Sequence, residues 1–191
     1  MLRQLRPALF VLLCLTLLTG GVYPLLITGV ARLVFPAQAA GSLITQDGKA
    51  IGSKLIGQHF SDPKYFWSRP SATGPYANNA IASGGSNLGP LNPALMDAVK
   101  QRVDALKTAD PSNPHKIPAD LVTASASGLD PHISVAAAEY QLARVARVRG
   151  LEVVKVRQLL DAHTEHPWLG FLGEPRINVL LLNLALDNSN H

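Results

Sequence analysis

An uncharged apolar run from Pro7 to Ala31, fenced by Arg3 and Arg6 before it and Arg32 after it, decides which solvent each part of this chain meets. About 20 consecutive apolar residues cross the hydrocarbon core of a bilayer as a helix, so a run of about 25 has length to spare. Leu5 to Leu18 is dense in leucine and valine, whereas Gly20, Gly21 and Pro24 interrupt the second half. Such residues are tolerated in membrane helices where neighbouring helices re-satisfy the loosened backbone, so these three suggest packing on a partner. The competing reading is a cleaved signal peptide with Ala37-Gln38-Ala39 as its processing site. A secretory apolar region is only about 7–15 residues long. The run here is far longer and the small-residue site lies well past its end, which favours an uncleaved anchor. Two arginines precede the span and one follows it, placing the N-terminus in the cytoplasm by the positive-inside bias. The expected layout is a cytoplasmic N-terminus (1–6), a transmembrane helix and membrane exit (7–35) and an extracytoplasmic domain (36–191).

A formal charge of +4 and a pI near 9.4 invite a nucleic-acid reading, and the distribution rejects it. All 13 acidic residues lie beyond residue 36, where 14 of the 17 basic residues also lie. The excess positive charge belongs to the anchor, and no basic stripe with interleaved aromatics tracks a phosphate backbone. Cys14, the one cysteine, falls inside the span as an apolar filler. The exported part therefore has no disulfide, although its compartment permits one, and must be held by core packing or by a partner. Its length suffices for one domain with its own core.

Ser42 to Ile56 alternates apolar residues around Gln46-Asp47-Gly48-Lys49, predicting a hairpin. Gly57 to Pro93 is rich in Gly, Pro, Ser and Asn and carries Tyr65, Phe66, Trp67 and Tyr76. A loop of this length is generally functional or disordered, and its aromatics argue against disorder. A helix follows with Pro93 first and Leu95, Val99, Val103 and Leu106 on one face. Asp110 to Pro118 is a connector and Ile117 to Thr123 a short extended segment. Asp130-Pro131 or Ser134 opens a helix that stops at Gly150, its last turn carrying Arg144, Arg147 and Arg149. Another helix spans about Val153 to His163. Ile177 to Leu186 has the length of a buried strand, with a helix left open. The expected fold class is a single N-terminal transmembrane helix followed by a compact α+β extracytoplasmic domain.

Few constellations suit chemistry. Gly84 to Gly89 spaces two glycines as a phosphate-binding loop does, but Pro90 and Leu91 stand where Lys and Ser/Thr are needed; a shaped contact loop at Ser86, Asn87 and Leu88 is the better reading. Asp130 and His132, with Ser125, Ser127 and Ser134 nearby, are the elements of a membrane-anchored exported hydrolase, yet no strained G-x-S-x-G elbow accompanies them. His163, Glu165 and His166 lack the spacing of a zinc helix, so no metal site is expected. Tyr65, Phe66, Trp67 and Arg69 are the residue types of interface hot spots; a local core beneath the loop is the alternative.

Several phrases carry a family resemblance: Tyr23-Pro24-Leu25-Leu26, Gly41-Ser42-Leu43-Ile44, Ile56-Gly57-Gln58, Arg69-Pro70-Ser71-Ala72, Ser83-Gly84-Gly85-Ser86-Asn87-Leu88-Gly89-Pro90, Val122-Thr123-Ala124-Ser125, Ser127-Gly128-Leu129-Asp130, and Leu184-Ala185-Leu186-Asp187. In this order, along nearly the whole chain, they resemble the C subunit (KdpC) family of the bacterial high-affinity potassium-transporting P-type ATPase, with Leu91 and Val135 as departures. The resemblance implies a non-catalytic, single-pass subunit of the bacterial plasma membrane. It further implies assembly with a channel-like potassium-translocating subunit and a P-type ATPase subunit, admits a small single-span peptide subunit, and assigns a catalytic-chaperone role that raises ATP affinity. ATP, Mg and potassium would be handled by those partners, with no cofactor bound by this chain. The interface candidates are then Gly20, Gly21, Pro24, Tyr65, Phe66, Trp67, Arg69, Ser86, Asn87 and Leu88, with lipid around the span.

Overall fold

A computed structural model describes residues 2–189 and divides the chain into two compact units, Met1–Ile51 and Gly52–His191. The first unit is dominated by α1 (Leu2–Leu17), a five-residue π-helical turn (Leu18–Val22) and α2 (Tyr23–Val34). Arg3–Val34 runs as one 32-residue helix whose most apolar 18-residue window has a mean hydropathy of 2.2, long and apolar enough to cross a membrane. At ~1.5 Å per residue it reaches about 48 Å, against a hydrocarbon core of ~30 Å. Pro24 explains the wide turn. It has no N–H, and in a regular helix its ring would collide with the carbonyl of Gly20 four residues back. The turn opens to i→i−5 spacing, with the Tyr23 N–H donating to the Leu18 carbonyl. Thr19 Oγ1 donates to the Leu15 carbonyl at 2.7 Å just before it. The helix absorbs Gly20, Gly21 and Pro24 without breaking.

Beyond Phe35, Ala37-Gln38-Ala39 is wound into a short α3 (Pro36–Ala39). The predicted hairpin follows as β1 (Leu43–Gln46) and β2 (Lys49–Ser53). Asp47 (φ 50°) and Gly48 (φ 75°) are both left-handed, which a two-residue hairpin loop of matching twist requires.

In the second unit, the long loop contains one 3-10 turn, Ala80–Ala82, before α4 (Pro93–Ala109). Asn92 caps α4, its side chain accepting from the Ala94 N–H at 3.0 Å. On the predicted face Leu106 is buried, while Leu95, Val99 and Val103 are half-buried. A three-stranded antiparallel sheet has the order β3 (His132–Ser134), β5 (Arg176–Asn178), β4 (Thr164–Glu165). His132 lies opposite Asn178, and Thr164 opposite Ile177. Against it pack α5 (Val135–Arg149) and α7 (Val179–Asn188), and α6 (Val153–Ala162) packs on both helices. Their shared core includes Ile133 and Ile177 from the sheet, Leu142 and Val145 from α5, Val156 and Leu160 from α6, and Leu182 and Leu186 from α7.

One local reading changes and two open ones resolve. Ile117 to Thr123 is not extended: Ala119–Leu121 winds into a 3-10 turn, because the Thr123 hydroxyl and N–H both seize the Ala119 carbonyl (2.7 and 2.9 Å). Of the two proposed helix starts, Ser134 is the cap, accepting from the Ala137 N–H at 3.0 Å, because His132–Ser134 is engaged in β3. The terminal apolar segment is a strand only to Asn178, whose side chain accepts from the Leu181 N–H at 3.2 Å and starts α7. Gly150 (φ 65°) closes α5 as expected. Its N–H and that of Leu151 return to the Arg147 and Ala146 carbonyls, the paired bonds of a left-handed helix stop.

Candidate functional site

The long loop has almost no regular structure, yet two sets of contacts fix it. The first comes from the helices. The Asn183 side chain on α7 accepts from the Phe66 N–H (2.9 Å) and donates to the Phe66 carbonyl (3.0 Å). The Gln141 side chain on α5 does the same for Trp67, at 2.8 and 3.1 Å. Each carboxamide thus pairs with the loop backbone as a neighbouring strand would. Arg144 donates to the Pro63 carbonyl and, at 2.7 Å, to Gln141 Oε1, and its guanidinium lies 4.8 Å from the centre of the Trp67 ring. Burial pulls the Arg144 pKa down to about 10, which still leaves it charged at neutral pH. At the loop's outer edge Asp187 accepts from the Tyr65 hydroxyl (3.0 Å) and from Arg149 (2.8 Å).

The second set is the segment 125–130. The Gly57 N–H donates to the Leu129 carbonyl and the Gly84 N–H to the Ser127 carbonyl, each at 2.8 Å, and the Ser125 N–H donates to the Pro70 carbonyl at 3.1 Å. Ser71 Oγ donates to the Gly128 carbonyl at 2.7 Å. Gly128 is left-handed (φ 68°), and a Cβ there would sit 2.5 Å from Thr73 Cγ2 and 2.7 Å from the Gly84 carbonyl oxygen. Gly128→Ala is expected to destabilise the domain by about 2 kcal/mol, combining left-handed strain with overpacking. The urea midpoint of the full chain in detergent reads this directly, and an unchanged midpoint would contradict the close packing.

Asp130 stands at the end of this segment, where a hydrolase reading would place its acid. Its carboxylate accepts from the His132 N–H (3.0 Å) and Arg69 Nη1 (3.1 Å), and lies 3.4 Å from His132 Nδ1. The other ring nitrogen of His132 faces Glu165 at 3.8 Å, in the position a nucleophilic hydroxyl would need. Ser134 Oγ is spent capping α5. Burial works to raise the Asp130 pKa, but the hydrogen bonds from His132 and the Arg69 charge outweigh it and hold the carboxyl below its ordinary value. The sign follows from linkage. A lowered folded pKa contributes stability above the unfolded value of ~3.9, and that contribution is lost as pH falls through the folded value. The gap in urea midpoint between the native chain and Asp130→Asn should therefore hold at neutral pH and close below about pH 4. A gap that stays constant to pH 2 would refute the linkage.

The sequence-derived interface residues fall into distinct settings. Phe66 is fully buried in the core, and Trp67 packs against it. Tyr65 is half-buried, 5.3 Å from the Phe60 ring and under the Arg149 guanidinium. Arg69 is tied to Asp130 and borders a cleft of about 430 Å³ shared with His59, Trp67 and Arg102. Ser86 and Asn87 are exposed and Leu88 half-buried. Gly20, Gly21 and Pro24 lie in and beside the π-helical turn, and nothing stands within 4 Å of where a Cβ on either glycine would be. Gln141 and Asn183 were not singled out from sequence as site residues, and Arg144 only as a cation near the end of its helix, although these three bind the loop most directly. His163 ends α6 with Nδ1 2.8 Å from the Leu159 carbonyl, and Glu165 lies on β4, paired with Arg176 at 3.0 Å. Among the described residues, no group of three His, Cys, Asp or Glu side chains is placed to hold a metal ion.

A family model described as K+-transporting ATPase, c chain, matches residues 5–188. A potassium-transporting ATPase KdpC subunit of Polaromonas naphthalenivorans is 71% identical over 183 residues, covering 96% of this chain and 93% of that protein. Proteins of the same description from Variovorax paradoxus (64% identical; 97% and 96% covered) and Methylococcus capsulatus (62%; 98% of each) align along almost their full length. The chain belongs to the KdpC family, the c chains of K+-transporting ATPases.

Proposed function

We propose that this chain is the accessory subunit that holds a potassium-transporting ATPase together and tunes its catalytic partner, without catalysing a step itself. Membership of the c-chain family along nearly the whole sequence carries the reading. The single apolar helix supports a membrane-anchored subunit, and the charge bias at its ends supports a cytoplasmic N-terminus with the domain outside. The chain has neither an Asp-Lys-Thr-Gly-Thr phosphorylation motif nor a Gly-Tyr-Gly filter sequence. ATP, Mg and potassium are accordingly assigned to a P-type ATPase subunit and a channel-like subunit, alongside which a small single-span peptide subunit is accommodated. An outside domain cannot touch cytosolic ATP, so any gain in ATP affinity is allosteric: a difference in the chain's affinity for two states of the pump, typically ~1–3 kcal/mol.

Two surfaces are proposed to make the contacts. Gly20 and Gly21, beside the wide turn at Pro24, let the span approach the channel subunit closely. The 65–93 loop, held rigid from behind, offers its outer edge, where Ile81 and Leu91 are 94% and 95% exposed. The test is a gentle-detergent pull-down of the tagged chain from potassium-starved membranes, with partners identified by mass. Stoichiometric recovery of a channel-like subunit and a P-type ATPase is expected, with Gly20→Leu/Gly21→Leu recovering them at least about tenfold less, the loss of ~1.4 kcal/mol of packing. Recovery of the native chain alone would overturn the reading; full recovery by the double variant would remove the glycines from the interface.

A further inference from the structure

The connection between β4 and β5 carries an apolar knob that neither the sequence motifs nor the family description explains. Trp168, Leu169, Phe171 and Leu172 are 72%, 66%, 73% and 48% exposed. The turn is closed by its own backbone. The Trp168 N–H donates to the Leu172 carbonyl at 3.1 Å, the Leu172 N–H to the Trp168 carbonyl at 3.0 Å, and the Gly170 N–H to the Pro167 carbonyl at 3.1 Å. Leu169 (φ 53°) is left-handed, followed by Gly170 (φ 80°) and Gly173 (φ 100°). A leucine rarely adopts that conformation, and such strain persists where a fixed shape is put to use.

We propose that this tip is a second membrane attachment, seated in the lipid–water interface of the bilayer that holds the chain's own span. The proposal rests on the reading of Arg3–Val34 as a span. No ionisable side chain occurs from Pro167 to Gly173, so the tip can enter the interface without desolvating a charge. Tryptophan is enriched at that depth, and a tip of a few apolar side chains suits an immersion of ~5–10 Å. Glu165 and Arg176 at its base pair with each other at 3.0 Å, leaving no surplus cation to select anionic headgroups. Seventeen residues, 35–51, separate the end of α2 from the second unit. Even fully extended they span at most about 60 Å, which bounds how far the tip can stray from the end of the span.

The chain has two tryptophans, Trp67 in the core and Trp168 at the tip, so subtracting the signal of Trp168→Phe isolates the tip. The full-length chain is placed in nanodiscs of zwitterionic phosphatidylcholine, with and without bromine on the acyl chains. Loss of Trp168 emission in brominated discs, a blue shift relative to water-exposed tryptophan, and loss of both effects in Leu169→Ser/Phe171→Ser are expected. A chain that enters the discs but keeps Trp168 unquenched and water-exposed overturns the tip while leaving the span intact. Shielding that appears only when the other pump subunits are added also overturns it, and assigns the knob to a protein pocket. Failure to enter the discs at all overturns the span and the tip together.

Discussion

Asn183→Leu is expected to destabilise the domain by about 2–5 kcal/mol, although it places a larger apolar side chain in a core position. The reason is the backbone it abandons. Asn183 is 1% exposed and satisfies both the N–H and the carbonyl of Phe66. A buried backbone group left without a partner costs ~1–3 kcal/mol, and leucine's added burial recovers only part of two such losses. Domains of this size are stable by ~5–15 kcal/mol, so the effect is a large share of the total. The urea midpoint of the full chain in detergent measures it, and hydrogen exchange at the Phe66 amide localises it. Unchanged or increased stability in Asn183→Leu would show that apolar packing alone holds the loop.

Phe66→Ala should cost about 3–5 kcal/mol, the range for deleting a buried aromatic side chain. Phe66 is 0% exposed and joins the cluster formed by α5, α6, α7 and the sheet, so its loss leaves a cavity inside the second unit. The cost should not add to that of Asn183→Leu, since both changes release the same residue and neighbouring sites couple. The double variant is expected to lose clearly less than the sum of the single losses. Strict additivity would mean that side chain and backbone at position 66 are held independently.

The regular elements were legible wherever local chemistry was unambiguous. Asp47-Gly48 demanded the hairpin, Pro93 and Gly150 bounded their helices, and the length of the apolar run determined the span. Reading failed where a polar residue worked inside the core. In α7 the buried positions Val179, Leu180, Leu182, Asn183 and Leu186 suit a helix, but Asn183 broke the apolar pattern and Leu181 and Leu184 filled the other face, so the sequence left strand and helix both open. Gln141 drew no reading for the same reason, and Arg144 was read only as a last-turn cation of its helix. Their burial is set by a loop 74 and 81 residues away in sequence, and no local period records that. The aromatic group was found because composition alone marks it. Phe66 filling the core while Tyr65 stays half-exposed depends on which backbone amides the helices capture.

The wide turn at Leu18–Val22 also sets an angle. One residue more than a regular turn shifts everything beyond it by about 100° around the helix axis. Side chains of α1 and α2 that an unbroken helix would align in one stripe are therefore dealt onto two differently oriented stripes, one in each half of the span. Two neighbours lying at different depths can then be met by one helix on different sides. Removing a single residue between Thr19 and Val22 would close the turn to regular spacing and leave each half facing the neighbour it faces now, because the wide turn already absorbs that one extra residue.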